Sequence, residues 1–295
     1  MQPDDIAHLV TVGSPAVSPD GTTVAFAVTT LDLEGNDYRR AIWMVAADGS
    51  GRPTRFTSGE CRDENPCWSP DGRRLAFTSK REAGSNKHAT LHIPPVTIGG
   101  EVVTLTTRNE AIGNLAWSPD GNHLAFTSRV RDERYASDDP KRQPPRRIER
   151  LRSKLNAEGF ISDRPQHIFV AAVDGLAPPV QLTDGPFEHD SPDWSPDSTQ
   201  IVFSAARHEN FDLEPADDLF VVDRRGGEPR RITDTTVGFT HPAWSPQGTT
   251  IATLVGAGRS YPRNYQVEVV DVASGERRLL TEKLERTCAP YPGVR

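Results

Sequence analysis

Short apolar runs separated by polar turns recur along the whole chain of 295 residues. Typical runs are residues 23–26 (TVAF), 74–77 (RLAF), 123–126 (HLAF) and 200–203 (QIVF). They are rich in β-branched and aromatic residues, and Gly, Pro and Asp bound them, which favours turns between strands. The pattern therefore predicts a protein made of many short β-strands.

A seven-residue motif built on Ser-Pro-Asp-Gly precedes most of these runs. Its five copies occupy residues 15–21, 66–72, 115–121, 192–198 and 242–248. The motif prolines are spaced by 51, 49, 77 and 50 residues. A period of about fifty residues with several short strands per unit is typical of propeller blades, whereas helical repeats would show a 3.6-residue apolar period.

Each repeat contains enough strand-like runs for a four-stranded blade. Ser-Pro-Asp-Gly fits a type I turn that reverses the first strand into the second, because Pro presets φ and Gly accepts a positive φ. Third strands are predicted at 41–45, 167–170, 218–222 and 266–270, and fourth strands end at 55–57, 104–106, 181–183, 231–233 and 279–281. The predicted fold class is all-β, a propeller of four-stranded blades with about five blades present.

The predicted organisation has three parts. Residues 1–14 form a lead segment, residues 15–281 form the blades, and residues 282–295 start a further blade or a linker. The repeats resemble those of a propeller family, named below, whose members usually have seven or eight blades, and this resemblance implies that the five are part of an incomplete ring and that the chain is truncated. Whether five blades close into a ring by themselves stays open at this point.

Residues at fixed places in the repeat are expected to serve the repeat. Four of the five tryptophans, Trp68, Trp117, Trp194 and Trp244, share one motif position, which favours filling the gap between adjacent blades over stacking on a ligand. The motif carboxylates Asp20, Asp71, Asp120 and Asp197 are explained by turn chemistry better than by metal binding or acid catalysis.

Composition and charge argue against several classes of function. The net charge of -7 gives no general electrostatic reason to bind nucleic acid, and no apolar stretch is long enough to cross a membrane. The N-terminus lacks the basic start and apolar core of a signal peptide, so we expect a cytoplasmic protein. Cys61, Cys67 and Cys288 are too few and too scattered for a disulfide scaffold or a structural zinc site, and we expect reduced thiols.

The repeats resemble the Trp-Ser-Pro-Asp-Gly propeller repeats of the translocation protein TolB and of the N-terminal half of prolyl oligopeptidase family enzymes. The opening residues 3–9 (PDDIAHL), leading into the first motif, look like the start of acylaminoacyl-peptidase and dipeptidyl-aminopeptidase type members. Residues 38–43, 147–151, 159–160, 163–170 and 182–186 also resemble that subfamily's propeller. The resemblance spans nearly the whole chain.

The resemblance implies a serine peptidase whose chemistry lies elsewhere. Family members carry Ser, Asp and His in a C-terminal α/β-hydrolase domain, with the nucleophile in a Gly-x-Ser-x-Gly elbow, and this sequence contains no such motif. No catalytic residue is therefore assigned, and the chain alone is predicted to be inactive. The implied partners are a C-terminal hydrolase domain or a separately encoded catalytic subunit, together with short peptides.

One interval is about 27 residues longer than the others because of an insertion at residues 130–165 in the third blade. The insertion holds ten Lys and Arg against seven Asp and Glu, while the rest of the chain has a net charge of -10. Arg146, Arg147 and Arg150 are candidate contacts to a peptide carboxylate or to an acidic partner surface. The alternative is a solvated loop, and Ile148, Leu151 and Leu155 permit either a short helix or an extended hairpin.

The sequence predicts no metal and no cofactor. His88 and His92 are four residues apart, but they fall in a predicted strand, where four residues span about 13 Å, too far for a shared zinc ion. The leading hypothesis is a non-catalytic propeller that gates the access of short peptides to a cytoplasmic serine exopeptidase. The alternatives are a stand-alone interaction scaffold and, third, a sugar-processing propeller with a metal site.

Overall fold

The computed structural model describes residues 3–83, 86–96, 102–137, 139–156, 158–214, 216–234, 237–256, 264–284 and 286–288. Its regular structure is almost entirely strand, as the sequence predicts. Within the described residues the only helices are three short 3₁₀ turns, at Pro3–His8, Glu133–Tyr135 and Pro140–Arg142. None of these turns has the length or the apolar character needed to cross a membrane.

We call each set of four strands that contains one copy of the motif a repeat. The strands of the first two repeats form one sheet. Repeat 1 contains β1 (Val10–Val17), β2 (Thr23–Asp32), β3 (Asp37–Ala46) and β4 (Thr54–Arg55), and repeat 2 contains β5 (Arg62–Trp68), β6 (Leu75–Ala83), β7 (Asn86–Ile93) and β8 (Val103–Arg108). Neighbouring strands within each repeat run antiparallel. The two repeats join through a single parallel pair, Arg40 with Arg62.

Three further sets follow along the chain. Repeat 3 contains β9 (Ile112–Trp117), β10 (His123–Arg129), β13 (Gln166–Ala172) and β14 (Val180–Gln181), with a two-stranded hairpin, β11 (Lys154–Leu155) and β12 (Gly159–Phe160), in its insertion. Repeat 4 contains β15 (His189–Trp194), β16 (Gln200–Ala205), β17 (Asp218–Asp223) and β18 (Arg230–Arg231), and repeat 5 contains β19 (Gly238–Trp244), β20 (Thr250–Gly256), β21 (Tyr265–Asp271) and β22 (Arg277–Leu279). Repeats 4 and 5 are each a four-stranded antiparallel sheet in chain order.

The chain divides into two compact units. One comprises residues up to 124 together with 171–179, and the other comprises residues 125–170 together with those from 180 onwards. The first unit therefore holds repeats 1 and 2, and the second holds the insertion and repeats 4 and 5.

The motif forms the tight turn that the sequence predicts. In repeat 2, the Gly72 N–H donates to the Ser69 carbonyl at 2.9 Å, and Gly72 has a φ of 67°, which glycine adopts without a steric penalty. The Asp71 carboxylate accepts the Ser69 hydroxyl at 2.5 Å and the Arg73 N–H at 3.0 Å. Asp20, Asp120 and Asp197 make the same pair of contacts in repeats 1, 3 and 4.

Each unit has an apolar core between successive repeats. In the first unit, Ala25 and Ile42 of repeat 1 pack with Leu75 and Phe77 of repeat 2. The motif tryptophans join the same layers: Trp68 Nε1 donates to the Ala16 carbonyl and Trp117 Nε1 donates to the Cys67 carbonyl, each at 3.0 Å. These two indoles thus bridge one repeat to the next.

In the second unit the core lies between repeats 4 and 5. Val202 and Leu219 pack with Phe239 and Ile251, all fully buried, and Trp244 lies against this cluster. Trp194 is also buried, whereas Trp244 is half-buried, and its backbone N–H donates to Asp193 Oδ2 at 2.7 Å. Burial raises the pKa of the Asp193 carboxyl.

A bulge in the first strand of the repeats was not predicted. Asn65, Asn114, Ser191 and His241, each three residues before the motif tryptophan, have φ between 47° and 57°. The pairing register shifts at this place in β5, β15 and β19. Asn adopts this left-handed conformation more readily than most residues, which accounts for Asn65 and Asn114 at this place.

The N-terminal boundary differs from the predicted one. Strand β1 begins at Val10, inside the segment 1–14 that the sequence analysis takes as a lead. Val10 and Val12 remain 58% and 66% exposed, so this strand pairs with β2 without burying its apolar side chains. The predicted C-terminal segment 282–295 lies largely outside the described residues.

Candidate functional site

The insertion between β10 and β13 combines a paired stem and a short hairpin with the 3₁₀ turns at Glu133–Tyr135 and Pro140–Arg142. Its stem is held by backbone hydrogen bonds from Val130 N–H to the Pro165 carbonyl at 3.0 Å and from Asp132 N–H to the Asp163 carbonyl at 2.8 Å. Near its end, β11 pairs antiparallel with β12. Of the two conformations that the sequence permits, the structure has the hairpin and not the helix.

Arg129 anchors the base of the insertion. Its guanidinium is 8% exposed and pairs with Glu158 at 2.9 Å and with Glu188 at 2.8 Å. It also donates to the Arg164 carbonyl at 3.1 Å. Burial raises the pKa of Glu188, and the positive charge of Arg129 opposes this rise. One buried cation thus connects the end of β10, the insertion and the segment before β15.

Arg146, the first candidate residue, is held within the insertion. Its guanidinium lies between the rings of Tyr135 and Phe160, at 4.5 Å and 4.8 Å from their centroids. Its Nε and Nη2 donate to Asp163 Oδ2, and Nη1 donates to Gln143 Oε1 at 3.0 Å. The guanidinium thus contacts two aromatic rings and two polar side chains of the insertion, and these contacts hold Arg146 in the wall.

Arg147 and Arg150 contact fewer neighbouring side chains than Arg146 does. Arg147 is 88% exposed and pairs with Glu149 at 2.8 Å. Arg150 is half-buried; its guanidinium lies over the Phe211 ring at 5.2 Å and donates to the Pro186 carbonyl at 3.1 Å. Leu151 N–H and Arg152 N–H donate to the Asp212 carboxylate at 2.7 Å and 3.2 Å. The far end of the insertion is thus attached to the loop before β17.

The three candidate arginines line one cavity of about 210 Å³, which we call the insertion cavity. Its lining consists of Asp132, Arg134, Tyr135, Arg146, Arg147, Ile148, Glu149, Arg150, Phe160, Ser162 and Asp163. Four arginines face three acidic residues, so the lining carries one excess positive charge. The Asp163 Oδ1 atom is buried here without a hydrogen-bond partner among the described residues.

A buried histidine pair with no signal in the sequence lies at the ends of β13 and β15. The rings of His167 and His189 are 5.2 Å apart, and the residues are 3% and 0% exposed. Burial lowers the pKa of His167 to about 4 and that of His189 to about 3, so both are neutral at pH 7. The two residues are 22 positions apart in sequence, and no local spacing signals their contact.

Arg207 fixes the tautomer of His189. Its Nη1 donates to His189 Nε2 at 3.2 Å, so the ring proton is on Nδ1, which donates to the Gln166 carbonyl at 3.0 Å. The Arg207 guanidinium also lies over the rings of Phe187 and Phe220, at 5.3 Å and 5.9 Å. Both ring nitrogens of His189 therefore have hydrogen-bond partners, which accounts for a neutral, buried imidazole with a structural role.

The histidines that the sequence analysis considered for zinc have separate partners. His92 Nε2 and Nδ1 contact the hydroxyls of Thr90 and Thr104, at 2.8 Å and 3.1 Å, and His88 Nδ1 contacts Asn109 Oδ1 at 3.0 Å. Across the described ranges, no three His, Cys, Asp or Glu side chains converge in a way that could hold a metal ion. Cys61, Cys67 and Cys288 are free thiols, and burial raises the pKa of Cys67 to about 11.

The repeated four-stranded sheets and their Ser-Pro-Asp-Gly turns define a β-propeller protein. Comparison with known families agrees, because residues 7–146 match the model of the TolB beta propeller domain. Over these residues the chain is similar to a TolB-like β-propeller domain, and its relatives include proteins named as peptidases.

Two curated relatives and one solved structure illustrate this similarity. The chain is 30% identical over 224 residues to the Bacillus subtilis protein named uncharacterized peptidase YuxL, covering 74% of this chain and 33% of that protein. It is 26% identical over 297 residues to dipeptidyl-peptidase 5 of Porphyromonas gingivalis, covering 94% and 42%. The fold matches Pyrococcus horikoshii acylaminoacyl peptidase with a TM-score of 0.72 at 15% identity, covering 97% of this chain and 42% of that one. The chain therefore spans less than half the length of each.

Proposed function

We propose that this chain is the non-catalytic propeller part of a cytoplasmic serine exopeptidase of the acylaminoacyl-peptidase or dipeptidyl-peptidase type. The observation that carries the proposal is sequence similarity. This propeller chain matches two proteins named as peptidases and covers 33% and 42% of their lengths. In the proposed protein a C-terminal α/β-hydrolase domain performs the hydrolysis through an acyl-enzyme and an oxyanion hole. The propeller selects substrates by limiting entry to short peptides.

Within this proposal the insertion supplies contacts to the substrate or to the hydrolase domain. Arg147 and Arg150 are the candidate contacts, since both line the cavity and the Arg147 side chain is 88% exposed. Arg146 contributes by fixing the cavity wall between Tyr135 and Phe160. An arginine held in place loses less conformational entropy on binding a carboxylate than a freely rotating one.

The test is the mass of the native gene product, detected in source cells with an antibody against this propeller. We expect a band at roughly twice 32.4 kDa or more, as domain sizes of a few hundred residues imply for a propeller joined to a hydrolase. Labelling of that band by an active-site serine reagent would identify the catalytic part. A single band at 32.4 kDa with no labelled partner would contradict the proposal and favour the interaction scaffold.

The purified 295-residue chain is predicted to show no peptidase activity on acetyl-alanyl or alanyl chromogenic substrates. The reason is the missing nucleophile elbow, because the triad supplies the acyl-enzyme route. The control is the longer native product, which should cleave one of these substrates. Turnover by the purified chain that persists after treatment with serine reagents would show that the chain has chemistry of its own.

A further inference from the structure

We propose that the insertion cavity binds the carboxylate of a short peptide, with Arg150 as the anion-binding group. This inference names the ligand class of the site and rests on the proposed function for the peptide nature of the ligand. The cavity volume of about 210 Å³ is several times the ~30 Å³ that one water molecule takes in the liquid. There is room for a peptide terminus or an acidic side chain.

The charges around the cavity single out one arginine. Arg134 pairs with Asp132, Arg146 with Asp163 and Arg147 with Glu149, so each of these three has its own carboxylate. Arg150 forms no ion pair with any residue in the described part of the chain; its recorded contacts are the Pro186 carbonyl and the Phe211 ring. The nearby Asp212 carboxylate accepts two backbone N–H groups. The excess positive charge of the lining is therefore that of Arg150.

The Arg150 side chain is positioned before any ligand arrives. Stacking on Phe211 and the hydrogen bond to Pro186 use one face and one nitrogen of the guanidinium. A guanidinium has five N–H donors, so others remain for a bidentate contact with a carboxylate. Phe211 is itself supported by the edge of Phe187, with centroids 5.0 Å apart. The anion-binding group is thus held by packing.

The acidic residues of the lining decide which anion fits. Asp132, Glu149 and Asp163 leave an excess of only one positive charge, which one carboxylate neutralises, whereas a second negative charge on the ligand would have no unpaired arginine to contact. Asp132 and Glu149 are also acceptors for peptide N–H groups. Both features favour a peptide carboxylate over inorganic phosphate, which carries more negative charge at pH 7.

The experiment is a fluorescence titration of the full chain with dansyl-Gly-Gly, which has a free carboxylate, and with dansyl-Gly-Gly-amide, which has none. We expect the acid to bind at least about tenfold more tightly than the amide, as a charge-assisted contact implies. Arg150→Gln should weaken binding of the acid by at least about tenfold and leave the amide unchanged. The matched control is Arg142→Gln, because Arg142 is an exposed insertion arginine outside the lining.

Three results would overturn the proposal. They are equal binding of acid and amide, unchanged binding by a folded Arg150→Gln chain, and competition by inorganic phosphate as strong as that by the acid. Circular dichroism of each variant separates loss of fold from loss of the site, and Arg150→Lys provides a second, more conservative variant. Binding by the chain is measured without a hydrolase domain, so its failure is distinguishable from a wrong mass of the native product.

Discussion

One carboxylate closes the motif turn in four of the five repeats, while the fifth has Gln247 at that place. In repeat 2 the Asp71 carboxylate connects the Ser69 hydroxyl with the Arg73 N–H. The hydrogen bond from Ser69 is the main reason that the pKa of Asp71 lies below its ordinary value. The charged form is thus the one that the folded turn favours.

We predict that Asp71→Ala lowers the free energy of unfolding by roughly 1 kcal/mol, as removal of a comparable capping side chain does. Because the folded pKa is lowered, the stability from Asp71 is present above the unfolded pKa and is lost as the pH falls through the folded pKa. Asp71→Asn should keep part of the stability and lose this pH dependence. Urea unfolding at several pH values checks both, with exposed Glu60→Ala as the control.

At the scale of elements, the insertion is attached at both ends. Arg129 holds its base through Glu158 and Glu188, and Asp212 holds its far end through Leu151 N–H and Arg152 N–H. The apolar side chains of Ile148 and Leu151 remain 60% and 77% exposed. Polar contacts therefore order this segment where an apolar core does not.

Arg129→Gln should loosen the insertion, since it leaves the Glu188 carboxylate without its cation. We expect the free energy of unfolding to fall by roughly 1–3 kcal/mol. This is less than breaking a fully buried ion pair costs, because both carboxylates are partly exposed. Limited trypsin digestion should cut within residues 130–165 faster than in the parent. A Glu133→Gln chain, which changes an exposed insertion residue and keeps every Lys and Arg that trypsin recognises there, should be cut at the parental rate. Equal rates for Arg129→Gln and the parent would refute the anchoring role.

At the scale of the molecule, acid sensitivity follows from the buried histidine pair. The folded pKa values of about 4 for His167 and about 3 for His189 lie below 6.5. The unfolded chain therefore binds more protons as the pH falls from about 6.5. Stability is highest above the unfolded pKa and decreases with acidification towards the folded values.

His189→Phe should reduce this acid sensitivity. Phenylalanine already occupies the equivalent place in repeat 5, at Phe239, five residues before the motif tryptophan. Between about pH 5.5 and pH 4 we expect the loss of stability per pH unit to be smaller by about 1.4 kcal/mol, the value for one proton. Urea midpoints across this range give the measurement, and His88→Gln is the control. If the urea midpoints of His189→Phe and of the parent change with pH in parallel, His189 is not a source of the acid sensitivity.

The repeat could be derived from the sequence because its causes are local. Ser-Pro-Asp-Gly encodes its turn through the hydroxyl, the carboxylate and a glycine φ, and the apolar runs that follow it encode strands. The same spacing placed Trp68 and Trp117 between repeats. The all-β propeller fold and the position of the insertion thus follow from residues a few places apart.

The arrangement of the candidate site required the tertiary structure, because its contacts join residues distant in sequence. The three arginines were identified as one basic segment, yet Arg146 is enclosed by Tyr135 and Phe160 while Arg150 stacks on Phe211. Likewise, His167 and His189 meet only because β13 and β15 bring their ends together. Charge and residue type are set by the sequence, but pairing, burial and pKa depend on which neighbours the fold supplies.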